Sequence, residues 1–357
     1  MFLSRKYKIA WTLCAALLAV PFSPCLAFEV LYEDSPALDA FAFKKKTDLL
    51  LRNDAVLVDG AITSNPPGTT FYDRYLLGIS RLQSNMVFNN KLALRIGLEA
   101  GTLIIRQKEQ ADPPLDNSGN AYLGRPLVDF TYQTASNLEI VLGAQAKYTS
   151  RYTETLETTD FKSTKTFAPV ALLVPRAGLY KRLSGFGGGI FYEGKDQKKR
   201  TVITTAFDDS QLTADDTVYT PPVIGIAARF KAGPIPTELD FAAVQASEGG
   251  PKTSEGERVE EDHVRVRLSG NYPLSQGVEA RMVLIHKTLS YADNAVMTLD
   301  SIPITTAHMK MIYGKDSLNA TLGISYGYGF DVQSLPEFNA KYLLHTYGAH
   351  LTVSLQF

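Results

Sequence analysis

Apolar and polar residues alternate with a period of two along most of this chain. In 317–330, Leu318, Ala320, Leu322, Ile324, Tyr326, Tyr328 and Phe330 alternate with Ser317, Asn319, Thr321, Gly323, Ser325, Gly327 and Gly329. In 137–152, Leu138, Ile140, Leu142, Ala144, Ala146 and Tyr148 oppose Glu139, Gly143, Gln145, Lys147, Thr149 and Arg151. The segments 91–106 and 263–272 follow the same rule. Successive side chains of a strand point to opposite faces, so each segment predicts a strand with one apolar and one polar face. A soluble sandwich also alternates. These segments run to ten or more residues, however, against about five or six in an ordinary strand. A tilted strand needs about 9–11 residues to cross a bilayer, so the lengths favour a membrane barrel.

The connections support the same architecture. Tight turns are predicted at Asn89-Asn90, Ser136-Asn137, 183–187, 232–236, 274–277 and 314–317, and longer polar stretches at 59–70, 107–120, 153–165, 194–217, 248–262, 291–300 and 331–341. Short and long connections alternate, as when turns face the periplasm and loops face outside. The fold class expected is therefore all-β: a single transmembrane antiparallel β-barrel of about fourteen strands, within a range of twelve to sixteen. The spans are 47–58, 71–88, 91–106, 122–135, 137–152, 166–182, 186–194, 218–231, 237–247, 263–273, 277–290, 301–313, 317–330 and 342–357. Outward aromatics fall near strand ends: Tyr148, Phe167, Tyr326, Tyr328, Phe330 and Tyr347 on the loop side, Phe130, Tyr132, Phe230, Tyr272, Tyr313 and Phe357 on the turn side. Two such belts are expected at the two membrane interfaces.

The N-terminus sets the compartment. Residues 1–27 read as a signal peptide, with Arg5, Lys6 and Lys8 before the apolar run 9–20, then Pro21, Pro24 and the small Ala27. The run is shorter than the ~20 residues of a spanning helix. Cys14, Cys25 and the only tryptophan, Trp11, all lie within residues 1–27. A mature chain from Phe28 thus has no thiol, which excludes disulfides, cysteine–zinc sites and a thiol nucleophile. Its charge is 33 basic against 37 acidic residues, a formal −4, once the three basic residues of the leader are removed. Residues 28–46, with Lys44-Lys45-Lys46, lack a clean period and are expected as a periplasmic segment or a plug; the barrel is assigned to 47–357.

The last strand alternates to the end, with Tyr347, Leu351, Val353, Leu355 and Phe357 on one face. It resembles the C-terminal recognition signal of Gram-negative outer-membrane β-barrel proteins. That resemblance implies an outer-membrane location and, as partners, membrane lipid, lipopolysaccharide and the barrel-assembly machinery; no nucleic acid is expected. Fourteen strands also resemble the fatty-acid and hydrocarbon uptake barrels. The chain is short for that group, and 28–46 lacks its Asn-Pro-Ala hatch sequence.

Parity assigns the candidate lumen. The basic residues are Arg95, Lys147, Arg151, Arg176, Arg182, Arg229, Lys231, Arg265, Arg267, Arg281, Lys287 and Lys310; the acidic ones are Glu99, Asp129, Glu139, Glu238, Asp240 and Glu279. A basic wall favours anions, so the first functional expectation is a porin-like channel for passive diffusion of small hydrophilic solutes, anions among them. Pairing across neighbouring strands, Arg229 and Lys231 with Glu238 and Asp240, is the competing reading. The alternatives are a structural, adhesion or scaffold barrel, or a hydrophobic-compound uptake barrel. The segment 194–217, with Lys195, Lys198, Lys199 and Arg200 before Asp208, Asp209, Asp215 and Asp216, reads as a loop, either folded inward as an eyelet or solvated. An enzyme is the remote case: no nucleophile motif is present, and only His286 with Ser290 suits a rim lipid hydrolase. No metal site and no cofactor are expected. His263 and His308 read as polar wall residues.

Overall fold

The computed structural model describes residues 46–65, 70–110, 115–157, 162–183, 186–206, 208–220, 222–232, 235–244, 260–293, 297–315, 317–334 and 339–357. The predicted signal peptide lies outside the described residues, as does 28–46 except for Lys46. The described residues form strands and their connections; none is helical.

Eighteen strand segments follow in order: β1 (Asp48–Asn65), β2 (Thr70–Val87), β3 (Leu92–Gln110), β4 (Leu115–Gln133), β5 (Leu138–Thr149), β6 (Tyr152–Glu157), β7 (Lys162–Phe167), β8 (Val170–Leu183) and β9 (Phe186–Glu193). They continue with β10 (Asp196–Thr205), β11 (Gln211–Thr220), β12 (Val223–Ala232), β13 (Ile235–Val244), β14 (Glu260–Ser275), β15 (Val278–Asp293), β16 (Met297–Lys315), β17 (Leu318–Ser334) and β18 (Asn339–Gln356). Every pairing is antiparallel. One path of pairing runs β1–β2–β3–β4–β5–β8–β9–β12–β13–β14–β15–β16–β17–β18. β18 then pairs with β1, from Asp48 opposite Gln356 to Asn65 opposite Asn339.

The remaining four segments are continuations. β6 follows β5 after Ser150 and Arg151, β8 follows β7 after Ala168 and Pro169, and β10 follows β9 after Gly194 and Lys195. β12 follows β11 after 221–222. β6 pairs with β4 and β7, and β10 pairs with β7 and β11, so the upper pieces extend the wall. Pro169 and Pro222 have no N–H to give a ladder. The break residues still bond to neighbours: Ser150 N to Tyr122 O at 2.8 Å, Ala168 N to Thr201 O at 2.9 Å and Gly194 N to Pro175 O at 2.8 Å.

These continuations correct the loop reading. Much of 107–120 and 153–165 is strand, and 194–217 is mostly the hairpin β10–β11, neither an inward eyelet nor an irregular loop. Its basic and acidic blocks face each other in register, Arg200 opposite Asp216 and Thr201 opposite Asp215. Both residues of the Lys199–Asp215 pair, 3.8 Å apart, are exposed. Below the hairpin, Tyr152 and Phe167 stack at 4.5 Å, with the Arg200 guanidinium 4.5 Å from the Phe167 centroid.

Exposure follows the predicted parity. Leu142, Leu173, Met282, Met309, Leu322 and Ile324 are about 60% exposed on one face, alternating with buried or half-buried polar residues. On the polar face, strands that are not neighbours meet: Lys147 Nζ on β5 donates to Thr220 Oγ1 on β11 at 3.1 Å, and the rings of His308 on β16 and His350 on β18 lie 5.3 Å apart. Only the inside of a curved wall brings such residues together, so the polar face is inward. An apolar outer face this extensive suits acyl chains and not water. Tyr148, Tyr326, Tyr328 and Tyr347 are exposed on it towards the long connections, and Phe130, Tyr132, Tyr272 and Tyr313 towards the turns.

Candidate functional site: the inward wall

Strand register builds the inward wall into ladders of side chains. One row crosses Asp48, Asn85, Arg95, Asp129, Gly143, Arg176 and Glu193. Asn85 Nδ2 donates to Asp48 Oδ1, and Arg95 Nε donates to Asn85 Oδ1 at 3.0 Å. Arg95 Nη1 lies 3.8 Å from Asp129 Oδ2. Arg176 donates to Asp129 Oδ2 at 2.7 Å through Nη1 and to Glu193 Oε1 at 3.1 Å through Nε. Arg176 and Asp129 are on β8 and β4, with β5 between them. They meet because the intervening residue is Gly143: a Cβ there would fall on Asp129 Oδ1 and on the Val128 carbonyl oxygen. Asp129 is 1% exposed; Arg95, Asp129, Arg176 and Glu193 each meet an opposite charge, as burial requires, while Asp48 accepts from the Asn85 amide.

A second row sets Arg81 against Glu99 and Glu99 against Arg125. Glu99 bridges both cations, with Arg125 Nη1 at 3.5 Å from Oε2 and Arg81 Nη2 on Oε1. A third cluster lies where the first and last strands meet. Arg52 Nε is 2.5 Å from Asp54 Oδ2; Asp54 Oδ1 is 3.0 Å from His350 Nδ1; His350 Nε2 is 3.0 Å from Ser325 Oγ. Asp54 and His350 are opposite in register, and His308 stands opposite Ser325.

The expected lumen residues therefore divide. Arg95, Glu99, Asp129, Glu139 and Arg176 are buried on the inward wall. Lys147, Arg281 and Lys310 are half-buried, with Arg281 opposite Lys310. Arg151 departs from the parity reading: it is exposed in the break after β5. Glu279 is exposed beside the β14–β15 turn. For Arg182, Arg229, Lys231, Arg265, Arg267, Lys287, Glu238 and Asp240 only the backbone lies within the described part. Its register puts Arg229 opposite Glu238 and Asp240 opposite Arg267, while Lys231 faces Pro236 rather than Asp240. The sequence reading passed over Arg81, Arg125, Arg52, Asp48, Asp54 and Glu193. Arg125 shares the parity of Asp129 and was within reach of the same rule. The others depended on knowing the register between strands.

The remaining candidates are placed as follows. His286 is exposed on the outer face, its Nδ1 2.9 Å from Thr305 Oγ1; the Ser290 side chain lies outside the described part. Tyr347 and Phe357 are exposed on the outer face of β18 and its end, with Leu351, Val353 and Leu355 half-buried between them. Among the described residues no group of three or more His, Cys, Asp or Glu is placed to hold a metal.

Solved structures similar to this one in fold include hydrocarbon transporters and channels. The Pseudomonas putida toluene transporter TodX superposes with a TM-score of 0.64 at 14% identity, covering 91% of this chain and 93% of that one. A Pseudomonas aeruginosa FadL homologue gives 0.62 at 10% identity, covering 95% and 98%. The CymD monoaromatic hydrocarbon channel gives 0.55 at 11%, covering 88% and 89%. The fold is that of Gram-negative outer-membrane β-barrel proteins. No protein-family model matches the sequence, and no curated protein matches it.

Proposed function

We propose that this protein is an outer-membrane uptake channel for hydrophobic compounds: one barrel of fourteen membrane-crossing strands, with turns in the periplasm and the long connections outside. The observation that carries this reading is the likeness of fold, along nine-tenths of the chain, to TodX and the FadL homologue. The inward wall supports it over the hydrophilic, anion-favouring channel expected first. An anion channel needs cations offered to the permeant ion. Here Arg81, Arg95, Arg125 and Arg176 are engaged by Glu99, Asp129 and Glu193. Val56, Val283 and Ile285, on the same inward face, are at most 2% exposed. The wall of a wide barrel open to water would be wetter, which favours an occluded lumen, and the segment 28–46, which precedes β1 in the sequence, is assigned the role of plug.

Cells with this chain as their sole hydrophobic-compound channel should accumulate labelled toluene or a long-chain fatty acid several-fold faster than cells lacking it. The purified barrel should show no steady large conductance in a planar bilayer. Unchanged uptake together with an open, ion-selective conductance would restore the hydrophilic reading.

A further inference from the structure

We propose that Asp54, His350 and Ser325 form a nucleophilic relay on the inward wall, able to cleave carboxylic esters that reach the lumen. The atoms that meet are the ones such a relay needs. A carboxylate oxygen lies 3.0 Å from His350 Nδ1, and His350 Nε2 lies 3.0 Å from Ser325 Oγ. Asp54 thereby fixes the tautomer in which Nε2 accepts the serine proton; a triad is defined by this geometry and not by order in the chain. The Asp54 carboxylate is itself held by Arg52 Nε at 2.5 Å. That contact orients it and offsets part of its support for an imidazolium. Ser325 is half-buried and His350 is 3% exposed. Space for the pair comes from Gly348, where a Cβ would fall on Ser325 Oγ and 3.0 Å from His350 Nε2.

In the reaction, Ser325 Oγ bonds to the ester carbonyl carbon and its proton passes to His350 Nε2. The proton then goes to the departing alcohol oxygen as its C–O bond breaks. Water repeats the steps to release the acid and restore the serine. The surrounding strand amides are engaged in the β16–β17–β18 ladders, so a side chain must meet the oxyanion. His308, opposite Ser325 and with its ring 5.3 Å from that of His350, is placed for that role. Lacking a dedicated backbone pair, the site should turn over slowly, on the order of 10²-fold or more below a dedicated esterase. This activity does not depend on what the barrel carries.

The full-length barrel, purified in detergent and shown to be folded by its heat-modifiable gel migration, is treated with a small dialkyl fluorophosphate and mapped by mass spectrometry. Ser325 Oγ should displace fluoride and carry one adduct. Labelling should be absent in Ser325→Ala and slower by about 10²-fold in His350→Gln, the usual contribution of a general base. Gly348→Ala, which keeps every reacting group, should block access. Hydrolysis of p-nitrophenyl butyrate should follow the same order. No adduct at Ser325 in the folded wild type, or equal labelling rates in His350→Gln, would overturn the assignment and leave the cluster as a polar clasp between the first and last strands.

Discussion

Gly143→Ala tests whether the inward wall works as a connected ladder. At an unhindered strand position alanine is better than glycine by about 0.5–1 kcal/mol, because glycine loses more freedom on folding. At 143 the added methyl would meet Asp129 Oδ1 and the Val128 carbonyl, and stand 2.9 Å from Asp129 Cα. Two of these are backbone atoms, so the conflict is not relieved by a rotamer change. Asp129 has to leave Arg176, which forfeits a buried charged hydrogen bond of about 1.5–3 kcal/mol. Arg95 remains beside Asp129 and Glu193 beside Arg176, so neither charge is stranded. The net expectation is a loss of about 1–2 kcal/mol, opposite in sign to the propensity gain. Gly97→Ala is the control: its nearest atoms, on Leu127, are 3.6 Å away, so it should gain about 0.5–1 kcal/mol. Urea titration of the barrel in phospholipid vesicles, followed by far-UV circular dichroism, measures both; the lone tryptophan, Trp11, is in the predicted signal peptide and outside the strands, so fluorescence is not the probe of choice. A cycle with Asp129→Asn should show coupling of at least ~0.5 kcal/mol. If Gly143→Ala is as stable as the parent, or the cycle is additive, the ladder argument fails.

Ile324→Lys, on the apolar face, should cost about 2–4 kcal/mol in vesicles; a change within ~0.5 kcal/mol, normal for an exposed site in water, would count against lipid contact. Glu99→Gln leaves Arg81 and Arg125 sharing a neutral amide, and should destabilise by about 3–5 kcal/mol in the same titration. The Ser210 side chain and backbone hold the Asp208 carboxyl below its ordinary range at the tip of β10–β11. Its stabilising contribution is therefore present above the unfolded pKa and lost as pH falls through the lower folded one. Ser210→Ala should move the Asp208 titration upward by NMR, and an unmoved titration would remove Ser210 as the cause.

The membrane-crossing strands were legible because lipid on one side imposes a strict apolar face. Leu318 to Phe330 and Leu138 to Tyr148 alternate over ten or more residues, longer than the five or six of an ordinary strand. The same logic explains what was missed. β6, β7, β10 and β11 rise beyond that apolar belt, so 196–205 and 211–220 carry no alternation, and strands held by neighbouring ladders looked like loops. Parity also placed Arg95, Glu99, Asp129 and Arg176 on one face. It could not pair them, since pairing depends on register between strands and on the gap at Gly143. Asp54, Ser325 and His350 form no local motif: Asp54 and His350 are 296 positions apart, and they meet Ser325 only through the contacts of the last strand with the first and with β17.

The breaks in the four strands from β5 to β12 have a consequence for the evolution of the protein's outer surface. They fall where the ring gives way to the hairpins β6–β7 and β10–β11; β6 stays laddered to β4 over five residues, whereas β10–β11 pairs sideways only with β7, over the four residues Val202–Thr205, among the described residues. The β10–β11 hairpin can open, or change in length and sequence, while the fourteen-strand path beneath keeps its register, because local units with their own hydrogen bonds open below the global cost. The exposed turn at Asp208–Ser210 is thus a place where foreign sequence can be carried. A peptide grafted there would be displayed on a stalk that the barrel does not have to refold around.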